Sequence, residues 1–177
     1  MATVSRIRPL LVGLLVAGAT VGGLSGRTGP ARADTDTGST TANVQVNLAI
    51  TLSDLSPSFT LTGAPGATVT TPSPVTMRVT TNSFTGYAVT VQPAAPALTG
   101  DTAGNTDTIP MTLLEVSGPA QAGAFTPLSL TTPVEVVRKT SASAADGDVI
   151  NHDYRITIPA VRPDIYRETI NYIATTL

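Results

Sequence analysis

An all-β architecture is indicated most clearly by residues 44–52, which read Val44-Gln-Val-Asn-Leu-Ala-Ile-Thr-Leu52. Every second residue of this segment is large and apolar, and successive side chains of a β-strand point to opposite faces of the sheet. In a helix the same side chains would be scattered around the circumference. The segment therefore predicts a strand whose buried face is formed by Val44, Val46, Leu48, Ile50 and Leu52.

The same two-residue period returns along the rest of the chain, between short turns rich in glycine, proline and aspartate. Alternating runs lie at residues 59–61, 75–80, 87–92, 109–113, 128–130, 134–136, 150–158 and 170–172. Prolines follow one another too closely for a long helix to form. We therefore predict an all-β fold, a single immunoglobulin-like antiparallel β-sandwich of about 7–9 strands.

The first 33 residues have the pattern of a cleavable secretory signal. Arg6 and Arg8 give a positive start, residues 10–19 form a short apolar run, and Ala31 and Ala33 supply the small residues of a cleavage site before Asp34. An uncleaved membrane anchor is the alternative, but a bilayer crossing takes roughly 20 apolar residues and this run is shorter. We expect a signal helix at 1–33, a flexible polar leader at 34–42 and a β-sandwich domain at 43–177.

Cleavage after Ala33 would leave an acidic product. The signal holds four of the ten basic residues and none of the twelve acidic residues, so the processed chain carries six basic and twelve acidic side chains, a net charge of −6. The remaining basic residues are scattered, which argues against nucleic-acid binding.

The chain has no cysteine, so neither disulfides nor a lipid-modified cysteine can form. We expect a secreted protein, loosely associated with the cell surface at most, without stable membrane insertion after cleavage.

Residues for catalysis are scarce. There is no cysteine nucleophile and no Gly-x-Ser-x-Gly motif, and His152 is the only histidine. Its neighbour Asp153 would point to the opposite face of a strand, so the two cannot pair as base and orienting group. The sequence predicts a structural role for His152 and a protein that is not an enzyme.

One loop offers the ligands of a hard cation. Residues 146–153 hold Asp146, Asp148, Asn151 and Asp153, and calcium prefers carboxylate and amide oxygens. The spacing does not match an EF-hand loop, and aspartate and glycine also favour hairpin turns. A plain turn and a calcium site are therefore both open, with calcium as the only cofactor that the sequence suggests.

Two segments resemble secreted bacterial surface sandwiches. Residues 80–91, Thr-Thr-Asn-Ser-Phe-Thr-Gly-Tyr-Ala-Val-Thr-Val, resemble a hairpin of such proteins, and residues 153–172 resemble the closing segment of spore-coat-U-like and WxL-like domains. The chain has no tryptophan, so the peptidoglycan attachment of the WxL motif is not implied. Tyr166 begins the last strand of this closing segment. Its hydroxyl is expected either to bond a nearby backbone group, as in a tyrosine corner, or to belong to an ordinary half-buried tyrosine.

Two functional hypotheses follow. The first is a non-enzymatic extracellular structural or interaction module, whose partner is a second copy or another cell-surface component. In its sharper form the strand at 44–52 inserts into a neighbouring subunit's sheet, although the same strand could simply be the first of its own domain. The alternative is a small-ligand or glycan-binding module assisted by calcium.

Overall fold

A computed structural model of the protein describes residues 34–177. The predicted signal peptide, with Ala31 and Ala33 of its cleavage site, lies outside the described residues. Asp34 is exposed, and residues 34–49 have no regular secondary structure. Within the described part the fold is all-β, as predicted, but it has twelve strands where about 7–9 were expected, because several are pieces of only two or three residues. The strands, in chain order, are β1 (Ile50–Ser53), β2 (Thr68–Thr70), β3 (Val75–Thr81), β4 (Tyr87–Pro93), β5 (Ala97–Gly100), β6 (Thr108–Pro110), β7 (Leu114–Ser117), β8 (Thr126–Pro127), β9 (Val134–Lys139), β10 (Asp148–Thr157), β11 (Tyr166–Arg167) and β12 (Ile170–Thr176).

These strands form antiparallel sheets. The largest has the order β1-β3-β10-β7-β8, with β2 also paired to β10. A second sheet has the order β12-β4-β9, and a small third sheet has the order β11-β5-β6. The predicted immunoglobulin-like topology is not confirmed. In an immunoglobulin domain, the strand of the second sheet that comes first in the chain lies at an edge of that sheet. In this protein β4 is the first strand of the second sheet, and it lies at the centre between β12 and β9.

The first two sheets share one hydrophobic core, as in a β-sandwich. Strand β3 buries every second residue, and β10 does the same from Ile150 to Ile156, which is the alternation that a half-buried strand requires. The hydroxyl of Tyr154 on β10 meets the hydroxyl of Tyr172 on β12 at 2.6 Å, so the inner faces of the two sheets touch. The most deeply buried apolar side chains of this core are Met77, Val79, Tyr87, Val89, Val91, Met111, Val116, Leu128, Val136 and Tyr154.

Several parts of the predicted strand pattern are wrong, among them residues 128–130, which lie outside any strand, and residues 111–113, which form a 3₁₀ turn. Residues 59–61 do not form a strand, yet Phe59 and Leu61 pack against the core, and the Phe59 ring stacks on that of Tyr154 with centroids 4.4 Å apart. The buried face predicted for residues 44–52 is real only at Ile50 and Leu52, which contact the core. Val44, Val46 and Leu48 are 86%, 78% and 64% exposed.

The place where β3 ends explains why Val44, Val46 and Leu48 are exposed. Strand β1 pairs with β3 from Ile50 opposite Thr81 onward. Beyond Thr81 the chain turns through residues 82–86 into β4, so no strand edge continues alongside residues 44–49. The turn closes at Gly86, whose φ of +97° favours glycine and where a Cβ would lie 1.9 Å from the Lys139 carbonyl oxygen.

Candidate functional site

The most unusual surface of the domain is residues 44–49, here called the N-terminal segment. It contains no charged residue, and its three large apolar side chains alternate with Gln45, Asn47 and Ala49. All six residues are exposed, and none belongs to a strand. Three exposed apolar side chains at a regular spacing make this segment the candidate for a contact surface.

Two side chains at the end of β3 hold the base of this segment. The Ala49 amide donates to Oδ1 of Asn82 at 2.9 Å, and Nδ2 of Asn82 donates to the Asn47 carbonyl at 2.8 Å. The Thr81 hydroxyl donates to the Ala49 carbonyl at 2.7 Å. The Asn82 amide therefore replaces the backbone partner that β3 no longer supplies.

Beneath the second sheet lies a buried polar group, the His–Tyr–Tyr cluster (His152, Tyr154 and Tyr172). The Nε2 atom of His152 lies 2.6 Å from the Tyr172 hydroxyl, which also contacts the Tyr154 hydroxyl at 2.6 Å. The imidazole is only 1% exposed, and its Nδ1 finds no partner among the described residues. The cluster links β10 to β12 through the core, and the burial of the imidazole favours the structural role predicted for His152.

Burial sets the protonation of this cluster. Desolvation lowers the pKa of His152 to about 4, although the nearby Asp153 carboxylate acts in the opposite direction. It raises the pKa of Tyr172 to about 12 and raises that of Tyr154 still further above its ordinary value. All three side chains are therefore neutral at neutral pH, as hydrogen-bonded groups in a core must be. Asp153 lies on the opposite face of β10, where it accepts a hydrogen bond from the Thr71 hydroxyl at 2.8 Å.

The four candidate calcium ligands are not brought together. The Asp148 carboxylate accepts hydrogen bonds from Lys139 Nζ at 2.7 Å and from the Tyr87 hydroxyl at 2.8 Å. Asp153 bonds Thr71 on the outer face of the sheet, and Asn151 is exposed on that face. Asp146 contributes its backbone carbonyl, which accepts from Arg78 at 2.8 Å. Within residues 34–177 no group of three or more His, Cys, Asp or Glu side chains could hold a metal ion.

The Lys139 contact has an electrostatic effect on Asp148. Although burial alone would raise the pKa of this carboxyl, the hydrogen bonds from Lys139, Ala144 and Tyr87 hold its pKa below the ordinary value. Burial and the same carboxylate raise the pKa of Tyr87 well above its ordinary value. Asp148 is therefore an internal link between β9, β4 and β10, with its oxygens already used.

The closing segment contains the tyrosine corner that the sequence suggested. The Tyr166 hydroxyl donates to the Arg162 carbonyl at 2.9 Å and accepts from Asn105 at 3.1 Å. Asn105 also donates to Asp164 at 2.7 Å, and this bond is the largest cause of the lowered pKa of Asp164, about 2. These bonds fasten the loop at residues 102–105 to the segment that precedes β12.

Sequence patterns did not identify Asn82 as the residue that holds the N-terminal segment. Asn82 looks like an ordinary turn residue, since asparagine is common in turns for its own reasons. The closing strand Ile-Asn-Tyr-Ile-Ala-Thr-Thr is visibly free of charge and proline. A strand without charge or proline is a sequence signal for a sheet edge that lacks protection. Whether this strand lies at an edge depends on the tertiary structure, which the sequence pattern does not give.

In the described part of the chain, none of the helical segments has the length and apolar character needed to span a membrane. Neither a protein-family model nor a curated protein sequence matches this chain.

Proposed function

We propose that the protein is a secreted, non-enzymatic structural module of the cell exterior that assembles with copies of itself by strand addition. The N-terminal segment of one copy is the added strand. The proposal follows from the export signal expected at residues 1–33 and from the resemblance of residues 80–91 and 153–172 to secreted surface sandwiches.

The observation that supports it best is the exposure of Val44, Val46 and Leu48, in a segment that has the pattern of a strand without a strand partner. Burying one valine or leucine side chain stabilises a complex by about 1.5–3 kcal/mol. Extended segments with this alternation bind to sheet edges, where main-chain hydrogen bonds give affinity and alternate side chains give specificity.

Asn82 fixes the base of the N-terminal segment, because it bonds both the Ala49 amide and the Asn47 carbonyl just beyond the end of β3. Residues 44–49 pair with no strand of the described part of their own domain. Addition to the sheet of another copy would give these residues the backbone partners that their own domain does not supply.

The test compares the chain from Asp34 onward with a variant carrying Val44→Ser, Val46→Ser and Leu48→Ser. We expect the unchanged chain to form oligomers whose mass rises with concentration, measured by size exclusion with light scattering, and the serine variant to stay monomeric. Because the three side chains are mostly exposed and lie outside the core, the thermal midpoint of the variant should be close to that of the unchanged monomer.

The matched control carries serine at two apolar residues exposed elsewhere, Val149→Ser and Ile165→Ser, which are both 59% exposed. This control should assemble like the unchanged chain. A chain that stays monomeric at every concentration, or a serine variant that assembles as well as the control, would refute strand addition by this segment.

A further inference from the structure

The second sheet has one edge without the usual protection against strand pairing. Natural proteins protect sheet edges with charges, prolines, bulges, short strands or covering segments. Strand β9, at one side of this sheet, has Glu135, Arg138 and Lys139 and a register shift opposite Val89 and Thr90. It is also covered by the 3₁₀ turn at Pro119–Gln121, whose Gln121 side chain donates to the Glu135 carbonyl.

Strand β12, at the other side, is not short and has no charge, proline or bulge, and the strand nearest to it, β1, packs close to it without pairing. Strand β12 pairs with β4 over seven consecutive residues without a register shift, and it contains neither a charge nor a proline. No strand of the described residues pairs with its second side, which is here called the free edge of β12. The remaining edge strands are shorter: β1 has four residues, β2 and β6 have three, and β8 and β11 have two.

The pairing of β12 with β4 shows which residues face the free edge. The Thr169 carbonyl accepts from Ala94 at 2.9 Å, and the Leu177 amide donates to Gly86 at 3.0 Å. Because hydrogen-bonded and non-hydrogen-bonded pairs alternate along an antiparallel ladder, the odd-numbered residues of β12 bond to β4. The even-numbered residues therefore direct their N–H and C=O groups to the free edge. They are Ile170, Tyr172, Ala174 and Thr176.

The same even-numbered residues have incompletely covered side chains. Ile170, Tyr172 and Ala174 pack against the core but are only partly buried. The inward side chains of the neighbouring strand β4, such as Val89 and Val91, are fully buried. An additional strand beside β12 would cover the core where it is now partly open.

We propose that the free edge of β12 is the acceptor for the N-terminal segment of a second copy, a proposal that rests on the function proposed above. Val44, Val46 and Leu48 have the same two-residue spacing as Ile170, Tyr172 and Ala174, and both strands lack charge. Added beside β12, the segment covers these inward side chains and bonds the free backbone groups. Since each copy has one added strand and one acceptor, assembly is head to tail and gives rings or filaments.

The first experiment removes a hydrogen-bond donor from the free edge. Ala174→Pro deletes an N–H that does not bond β4, and proline is tolerated on the solvent side of edge strands. We expect this variant to lose assembly while keeping a cooperative thermal transition. Thr175→Pro is the matched control, because it removes an N–H that bonds β4 and should lower the thermal midpoint more.

Mixing two variants gives the sharpest readout. The serine variant keeps its acceptor edge but has no added strand, and the Ala174→Pro variant keeps its N-terminal segment but has no acceptor. Each alone should be monomeric, and the mixture should form a dimer of one copy of each that does not grow further. If the serine variant is monomeric while Ala174→Pro assembles like the unchanged chain, strand addition stands and β12 is not the acceptor. If the unchanged chain never assembles, both proposals fail.

A disulfide crosslinking test does not require β12 to tolerate a proline. Only the introduced cysteines can react, because the chain has no cysteine of its own. Gln45 and the odd-numbered residues of β12 would share the outer face of the extended sheet, where opposite Cβ atoms lie about 4.5–5.5 Å apart. A Gln45→Cys chain should crosslink under mild oxidation to a longer, tagged chain carrying Asn171→Cys, Ile173→Cys or Thr175→Cys, and the best partner reports the register. Val149→Cys, outward on β10, is the control. Equal crosslinking to Val149→Cys would overturn the proposed acceptor.

Discussion

His152 should make the stability of the domain depend on pH. Its pKa is about 4 in the folded protein, against an ordinary value of 6.5. The unfolded chain therefore binds a proton between these values that the folded protein does not. By linkage, the free energy of unfolding falls as the pH is lowered through 6.5, and the loss levels off below about 4.

The size of the effect follows from the two pKa values. Integrating proton uptake from about pH 7 to about pH 5 gives a loss of about 2 kcal/mol. The full separation corresponds to about 3 kcal/mol. The chain has one histidine, and the carboxyls with lowered pKa, such as Asp148 and Asp164, titrate only at lower pH. The window above about pH 5 therefore reports His152.

Urea denaturation at several pH values measures this effect directly. With a typical slope of about 1–3 kcal/mol per molar urea, the midpoint should fall by roughly 1 M between the two ends of the window. His152→Gln is the matched variant, because an amide can still hydrogen bond the Tyr172 hydroxyl but does not titrate. Its midpoint should be nearly constant over the same range, whatever its absolute stability.

An equal pH dependence in the two proteins would refute this reasoning. So would a midpoint of the unchanged protein that does not move, since it would mean that the buried imidazole accepts a proton as easily as in the unfolded chain. Proton uptake can be checked independently, since the His152 resonances in an NMR titration should report a pKa far below the ordinary value.

Three further predictions follow from other contacts. Asn82→Ala should lower the free energy of unfolding by about 1–2 kcal/mol and speed amide exchange at Ala49, because it removes two hydrogen bonds to the N-terminal segment; unchanged exchange at Ala49 would contradict the role given to Asn82. Gly86→Ala should destabilise the domain by about 1–3 kcal/mol or more in a urea melt, because φ is +97° and the new Cβ would meet the Lys139 carbonyl; a variant as stable as the unchanged protein would contradict this packing. Calcium should leave the thermal midpoint where EDTA leaves it, since Asp148 and Asp153 already bond Lys139 and Thr71; a midpoint raised by calcium would show a site that binds the folded state.

The contacts of individual polar residues could be predicted only in part. The prediction that Tyr166 begins the last strand is wrong, because Tyr166 lies on β11 and the last strand begins at Ile170. Its bond to the Arg162 carbonyl matches the tyrosine corner considered for it. The partners of His152 could not be inferred, because Tyr172 lies on a different sheet and the contact depends on how the two sheets pack. The closeness of Asp146, Asp148 and Asp153 in the sequence left open that they bind one calcium ion together. Strand β10 directs Asp148 and Asp153 to opposite faces of the sheet.

The alternation of residues 44–52 determined the class of the fold, because the direction of successive side chains is a local property of an extended backbone. It could not determine which residues of the run are buried. Val44, Val46 and Leu48 continue the pattern of Ile50 and Leu52, but only the latter two lie beside β3, which turns away after Thr81. Burial depends on whether a partner strand continues alongside, and in this protein the tertiary structure decided that by the place where β3 ends.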